Sequence, residues 1–207
     1  MKKSDVDAEK MKFFDKWSVS SIKVHDPGLE RYIGLYPSIV PRSGGKLSST
    51  PHGKSKMNIV ERLITKLMVP GHRGKKHKIS SGRATGKYTL HYKTVKKTFE
   101  IIEKKTGKNP IEVLVRAIEN AALREEIAAY QVGGIIVRRA VVTSPQRRVD
   151  IALRYIVQAS YNKSFGKGIT MAEALADELI AAAANDASKS IAVKEKERIE
   201  REAEGAR

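Results

Sequence analysis

The chain has 207 residues, the length of one domain with extensions, and is 41% hydrophobic, enough to bury a core and too much for a wholly disordered chain. Forty Lys/Arg against 23 Asp/Glu give a formal net charge of +17, so a polyanion is the expected partner. Cysteine is absent, which excludes a disulfide scaffold and a thiolate metal site.

No stretch approaches about 18 consecutive apolar residues, and the opening MKKSDVDAEKMKFF lacks the apolar centre of a signal peptide. Neither a membrane span nor Sec-type secretion is expected. Residues 1–25, Trp17 included, show no convincing period. PRSGGKLSSTPHGKSK (41–56) and PGHRGKKHKISSGRATGK (70–87) are rich in Gly, Ser, Lys and Arg and poor in large apolar residues. They read as extended basic arms able to lie along a sugar-phosphate backbone. Between them, Ile59, Val60, Leu63, Ile64, Leu67 and Met68 form one apolar stripe, predicting a helix over 56–69 that Pro70-Gly71 stops.

Further helices follow. In 89–105, Tyr92, Val95, Phe99 and Ile102 share a face opposite Lys93, Lys96 and Lys97, and Gly107 supplies the break. Asn109-Pro110 caps the next helix, with Ile111, Leu114, Ile118 and Ala121 inward. Val132-Gly133-Gly134-Ile135 has the two-glycine centre of a tight hairpin turn, and IIVRRAVVT behind it is β-branched, predicting a hairpin at about 125–143. Ser144-Pro145 opens a helix burying Val149, Leu153, Ile156 and Val157. Thr170 with Glu173 forms a capping box for a helix through Ala174, Leu175 and Leu179. Beyond 188, KSIAVKEKERIEREAEGAR reads as a marginal solvated helix or a tail ordered by a neighbour.

The charge is concentrated. Residues 42–97 hold 15 Lys/Arg and one acid, Glu61, a net of +14, and four of the five His (His52, His72, His77, His91) lie there as well. Confining that charge costs self-repulsion that a bound polyanion would relieve. A merely solvated basic loop and an anionic membrane surface are the alternatives, and no Trp/Phe/Leu-faced basic amphipathic helix accompanies the arms. Catalytic signatures are lacking. Gly82-Arg83-Ala84-Thr85-Gly86-Lys87 is one residue short of a phosphate-binding loop, Tyr88 follows the Lys, and no apolar strand precedes it. No H-E-x-x-H or G-x-S-x-G is present, and His72 and His77 lack Cys or acidic companions, so no metal and no cofactor is expected. A helix-turn-helix DNA-binding protein and an RNA-modifying enzyme are the rival classes. The first lacks a feature for symmetric half-site pairing, the second a cofactor-binding glycine motif.

The assembled pieces resemble a known family. GKYTLHYKTVKKTFEIIEKKTGKNPIEVLVRAIENA (86–121) resembles the helix–turn–helix stretch of the universal small-subunit ribosomal protein seven family, called S-seven in bacteria and numbered five in eukaryotes. NIVERLITKLM (58–68) resembles its first core helix, VGGIIVRRAVVTSPQRRVDIALRYIV (132–157) its hairpin and the entry to the next helix, and KGITMAEALADELIAAAAN (167–185) its last bundle helix. The resemblance spans roughly 56–187, while 26–45 and 70–85 look like the archaeal and eukaryotic branch, and the compact length suggests an archaeal-type member.

The resemblance implies a mainly α fold: a helical bundle of five to six helices with a protruding β-hairpin and extended basic N-terminal arms. The expected organisation is 1–55 as an N-terminal extension with a basic arm, 56–187 as the bundle with its insert at 70–87, and 188–207 as a charged C-terminal tail. It implies binding to the 3′ major domain of small-subunit rRNA, nucleation of head assembly, neighbouring head and platform ribosomal proteins, and nearby E-site tRNA and mRNA exit path. No catalysis, membrane contact or homo-oligomer is expected, and the location would be the cytoplasmic small subunit. The rRNA-facing positions carried over are Lys56, Lys87, Lys93, Lys96, Lys97, Arg147 and Arg148. The charge reading adds Arg42, Lys46, Lys54, Arg73, Lys75, Lys76, Lys78 and Arg83. Gly133 and Gly134 would turn the hairpin toward the E site. Arg138 and Arg139 are the hairpin's only cations, because IAAYQ (127–131) lacks the arginines of bacterial members.

Overall fold

The structure is a computed structural model and describes residues 12–73, 76–77 and 84–207. Among the described residues there are seven α-helices and two antiparallel two-stranded ribbons. Helix α1 is a single turn, Pro27–Glu30, capped by Asp26. Helix α2 spans Ile59–Leu67, with Asn58 accepting from the Val60 amide. Helices α3 (Tyr88–Thr106), α4 (Pro110–Ala121), α5 (Pro145–Ser164) and α6 (Met171–Ala183) form the bundle, and α7 (Ile191–Glu204) packs on it. The short ribbon pairs β1 (His72–Arg73) with β2 (Lys76–His77), and the long one pairs β3 (Glu125–Val132) with β4 (Ile135–Val142).

Helix α6 is the centre of the bundle and touches α3, α4, α5 and α7. Its buried face is mostly alanine (Ala172, Ala174, Ala176, Ala182) around Leu175 and Leu179. Small side chains let four neighbours approach one axis, and alanine's high helix propensity keeps the segment helical. The capping box is formed: Thr170 Oγ1 accepts from the Glu173 amide, and Glu173 accepts from the Thr170 amide. Asn109 caps α4 as expected, whereas Ser144 makes no side-chain cap bond and α5 relies on Pro145 at its first turn.

Three segments depart from expectation. Residues without a period near the N-terminus are core: Phe13, Phe14, Trp17 and Val19 are buried, and Phe14 and Trp17 meet Phe99 of α3 edge-on at 5.9 and 5.6 Å. The basic segment 41–56 is not extended but winds through two 3-10 turns, Lys46–Ser49 and Gly53–Lys56. Gly53 is required there, since a Cβ would lie 1.9 Å from the Leu47 carbonyl oxygen. The tail docks within its own chain, because the fully buried Glu178 of α6 accepts from Ser190 Oγ at 2.8 Å and the Ala192 amide at 3.0 Å while Lys163 holds its other oxygen at 2.6 Å.

Candidate nucleic-acid interface

The one acid within 42–97 is turned inward. Glu61 is 5% exposed and accepts from both the amide and the hydroxyl of Ser43, at 2.8 and 2.9 Å. That contact fastens the basic segment to α2 and removes the negative charge from the surface. A second fastening joins it to α3: the Tyr88 hydroxyl donates to the Pro41 carbonyl, and the Arg42 guanidinium lies 5.3 Å from the centre of the Tyr88 ring. Burial, reinforced by Glu61, pushes the Tyr88 phenol up to about 12, so it stays a donor at physiological pH.

These fastenings present a set of cations that make no salt bridge among the described residues. Arg42, Lys46 and Lys56 come from the 42–56 segment, and Lys87, Lys93, Lys96 and Lys97 from α3 and the residue before it. Arg42, Lys46, Lys56, Lys87, Lys93 and Lys97 are exposed, Lys96 half-buried. Arg73 and Lys76 face each other in register across the β1–β2 ribbon, and Lys75, Lys78 and Arg83 lie outside the described residues.

Three other expected contact residues are engaged inside the protein. Lys54 Nζ sits 2.8 Å from Asp150. Arg147 makes a two-pronged pair with Glu126 at the base of the hairpin, 2.5 and 2.6 Å. Arg148 reaches Asp26 at 2.7 Å and the Leu123 carbonyl at 3.0 Å, clamping α1 and the end of α4 to α5. Burial works against the Asp26 carboxylate, yet the Arg148 and Gly28 hydrogen bonds hold it below the usual range. Only the Asp and Glu partners, 21 to 122 residues away, distinguish these cations from the unpartnered ones.

The hairpin turns on Gly133 and Gly134, at φ 55° and 86°, with Val132 opposite Ile135. Both central residues need the left-handed region, which is why two glycines stand there. Its base is tied to the C-terminal helix by the Arg124 amide on Glu200 at 2.8 Å and by Arg207 on Glu125. Its outer half stands clear of the bundle, with Ile135 71% exposed and Arg138 and Arg139 exposed on opposite faces.

A helical bundle that projects a ribbon and displays a predominantly cationic surface defines the class of basic, mainly helical scaffold proteins. The chain belongs to the family described as ribosomal protein S7p/S5e, whose model matches residues 40–207. It is 49% identical over 198 residues to the small ribosomal subunit protein uS7 of Nanoarchaeum equitans, covering 96% of this chain and 100% of that one. The proteins of the same description from Archaeoglobus fulgidus and Thermoplasma volcanium are 48% identical over 199 residues and 45% over 194. Those two alignments cover 96% and 94% of this chain, and 96% and 99% of the relatives.

Proposed function

We propose that this protein is a structural component of the small ribosomal subunit in the cytoplasm, and that it acts by binding rather than by chemistry. It grips the 3′ major domain of small-subunit rRNA, nucleates folding of the subunit head, and holds its hairpin near the E-site tRNA and the mRNA exit path beside head and platform proteins. The observation that carries this reading is the cationic surface of 42–56 and the first half of α3, from which Glu61, the one acid within 42–97, is turned inward onto Ser43. Family membership supports it.

The bundle fixes Lys87, Lys93, Lys96 and Lys97 along a rigid helix, so each meets a phosphate without ordering a flexible chain on binding. Recognition follows RNA shape, since only 6% of residues are aromatic and few can stack on bases. With Arg42, Lys46, Lys56, the four lysines of α3 and its approach, Arg138 and Arg139 engaged, the slope of log affinity against log salt is roughly −6 to −8. Filter binding of the full chain to a transcript of that rRNA domain, against random-sequence RNA and duplex DNA at matched salt, tests the reading. Preference for the domain, and co-sedimentation with small subunits, is the expected result. Equal affinity for all three polyanions would refute it.

A further inference from the structure

A cavity of about 280 Å³ opens between α2 and α5, and its wall contains Lys54, Arg62, Lys66 and Arg154 but no acid. The Asp150 carboxylate, which both Lys54 and Arg62 contact, is shared between them at 2.8 and 3.2 Å. Lys66 and Arg154 make no salt bridge among the described residues, and Asp150 acts on Lys66 only at longer range. Arg62 is 1% exposed, gives one terminal nitrogen to Asp150 and the other to the Tyr32 carbonyl at 2.8 Å, and keeps Nε buried without a hydrogen-bond partner among the described residues. Four cations around one carboxylate, with a buried donor unmet, form an arrangement that an anion completes.

We propose that this cavity is a phosphate site, and that a phosphodiester of the bound RNA seats there between Lys54, Lys66 and Arg154. The proposal rests on the RNA-binding reading above and adds a specific seat to it. Lys66 and Arg154 come from two helices of the bundle and Lys54 from the 3-10 turn of the basic segment, so one phosphate staples that segment to the bundle. The Lys66 ammonium beside this cavity is held below its usual range by burial and by repulsion from Lys54; Asp150 pulls the other way, and Arg154 and Arg62 add smaller repulsions. An anion reverses that shift.

The test has two arms on the full chain, wild type against the double variant Lys66→Met/Arg154→Gln, with Lys108→Gln, exposed between α3 and α4 and outside the cavity lining, as control. In the first arm, inorganic phosphate replaces chloride at constant ionic strength. The wild-type melting temperature rises and the Lys66 ammonium, followed by NMR, titrates at higher pH; the double variant shows no such rise. Its melting temperature in chloride is at or above the wild-type value, since repulsion has been removed, which separates loss of the site from loss of the fold. In the second arm, binding to the rRNA transcript weakens and the salt slope falls by about 1 for the double variant and is unchanged for Lys108→Gln. A response to inorganic phosphate with wild-type RNA affinity and slope in the double variant would assign the cavity to a free anion and overturn the proposal. Failure in both arms while the wild type still binds the transcript would also overturn it and leave the RNA-binding reading standing; failure of the wild type to bind the transcript would overturn that reading itself.

Discussion

Replacing Asp150 with Asn separates a buried charge pair from an exposed one that shares the same carboxylate. Arg62 is almost wholly enclosed, and among the described residues its only other side-chain partner is the Tyr32 carbonyl, so without Asp150 a guanidinium is left buried and uncompensated. Breaking such a pair costs about 3–5 kcal/mol, and the side chain of Asp150, one-fifth exposed, puts this case toward 3. Lys54, 43% exposed, contributes to the same carboxylate no more than about 1 kcal/mol. Urea unfolding followed by helical circular dichroism should therefore rank Asp150→Asn well below Lys54→Ala, out of a total stability of roughly 5–15 kcal/mol. The double variant Arg62→Met/Asp150→Leu should recover most of the loss, because no charge remains buried. The acid limb gives an independent reading. Burial opposes the Asp150 carboxylate, but Lys54 and Arg62 together hold its pKa below the ordinary value, so its contribution is present above about pH 3.9 and is lost as pH falls toward the lower folded value. The difference in stability between wild type and Asp150→Asn should shrink across that window, while Asp26 keeps an acid limb in both proteins. If Asp150→Asn costs no more than Lys54→Ala, the buried-pair argument fails.

Glu178→Ala should cost about 3 kcal/mol and raise amide exchange in α7 while α3 and α4 keep their protection, since Ser190, Ala192 and Lys163 lose their common acceptor. Trp17→Ala should cost about 3–5 kcal/mol by thermal or urea unfolding, as the indole fills the space beside Phe14 and Phe99. Gly134→Ala forces a Cβ into the left-handed region at φ 86° and should cost about 1–2 kcal/mol, read as loss of cross-strand NMR contacts between Val132 and Ile135. Arg148→Ala should lower the melting temperature measurably and Arg147→Ala should not, because the first is a half-buried clamp on Asp26 and the second an exposed pair with Glu126.

The bundle was legible because its signals are local. Asn109-Pro110, Thr170 with Glu173, and Gly133-Gly134 each fix a boundary within a few residues, and each boundary stands where those residues place it. What was not legible depends on partners far along the chain. Phe13, Phe14 and Trp17 occupy a tight turn with Phe14 and Asp15 at positive φ, so no period of 2 or 3.6 marks them, and they become core only because Phe99 and Tyr92 are there to meet. The docked face of α7 consists of Ala192, Val193 and Ala203, too small an apolar signal to distinguish it from a solvated helix, and its anchor is a carboxylate.

The same distinction governs the site. Counting residues locates the +14 of 42–97, but whether a given cation is available to a phosphate depends on which acid the fold brings beside it. Arg147 and Arg148 are withdrawn by Glu126 and Asp26, and Lys54 shares Asp150 with Arg62 at the wall of a cavity to which the packing of α2 on α5 also brings Lys66 and Arg154, two cations that no motif or charge count singles out. Glu61 makes the arrangement asymmetric: by binding Ser43 it fastens the basic segment and takes its own negative charge off that surface. The free protein therefore holds its cations together against their repulsion through a few buried carboxylates, and a bound RNA acts on stability as any ligand of the folded state does. Thermal stability measured with and without the rRNA transcript should then rise with RNA concentration and fall back as salt is added, in parallel with the loss of affinity.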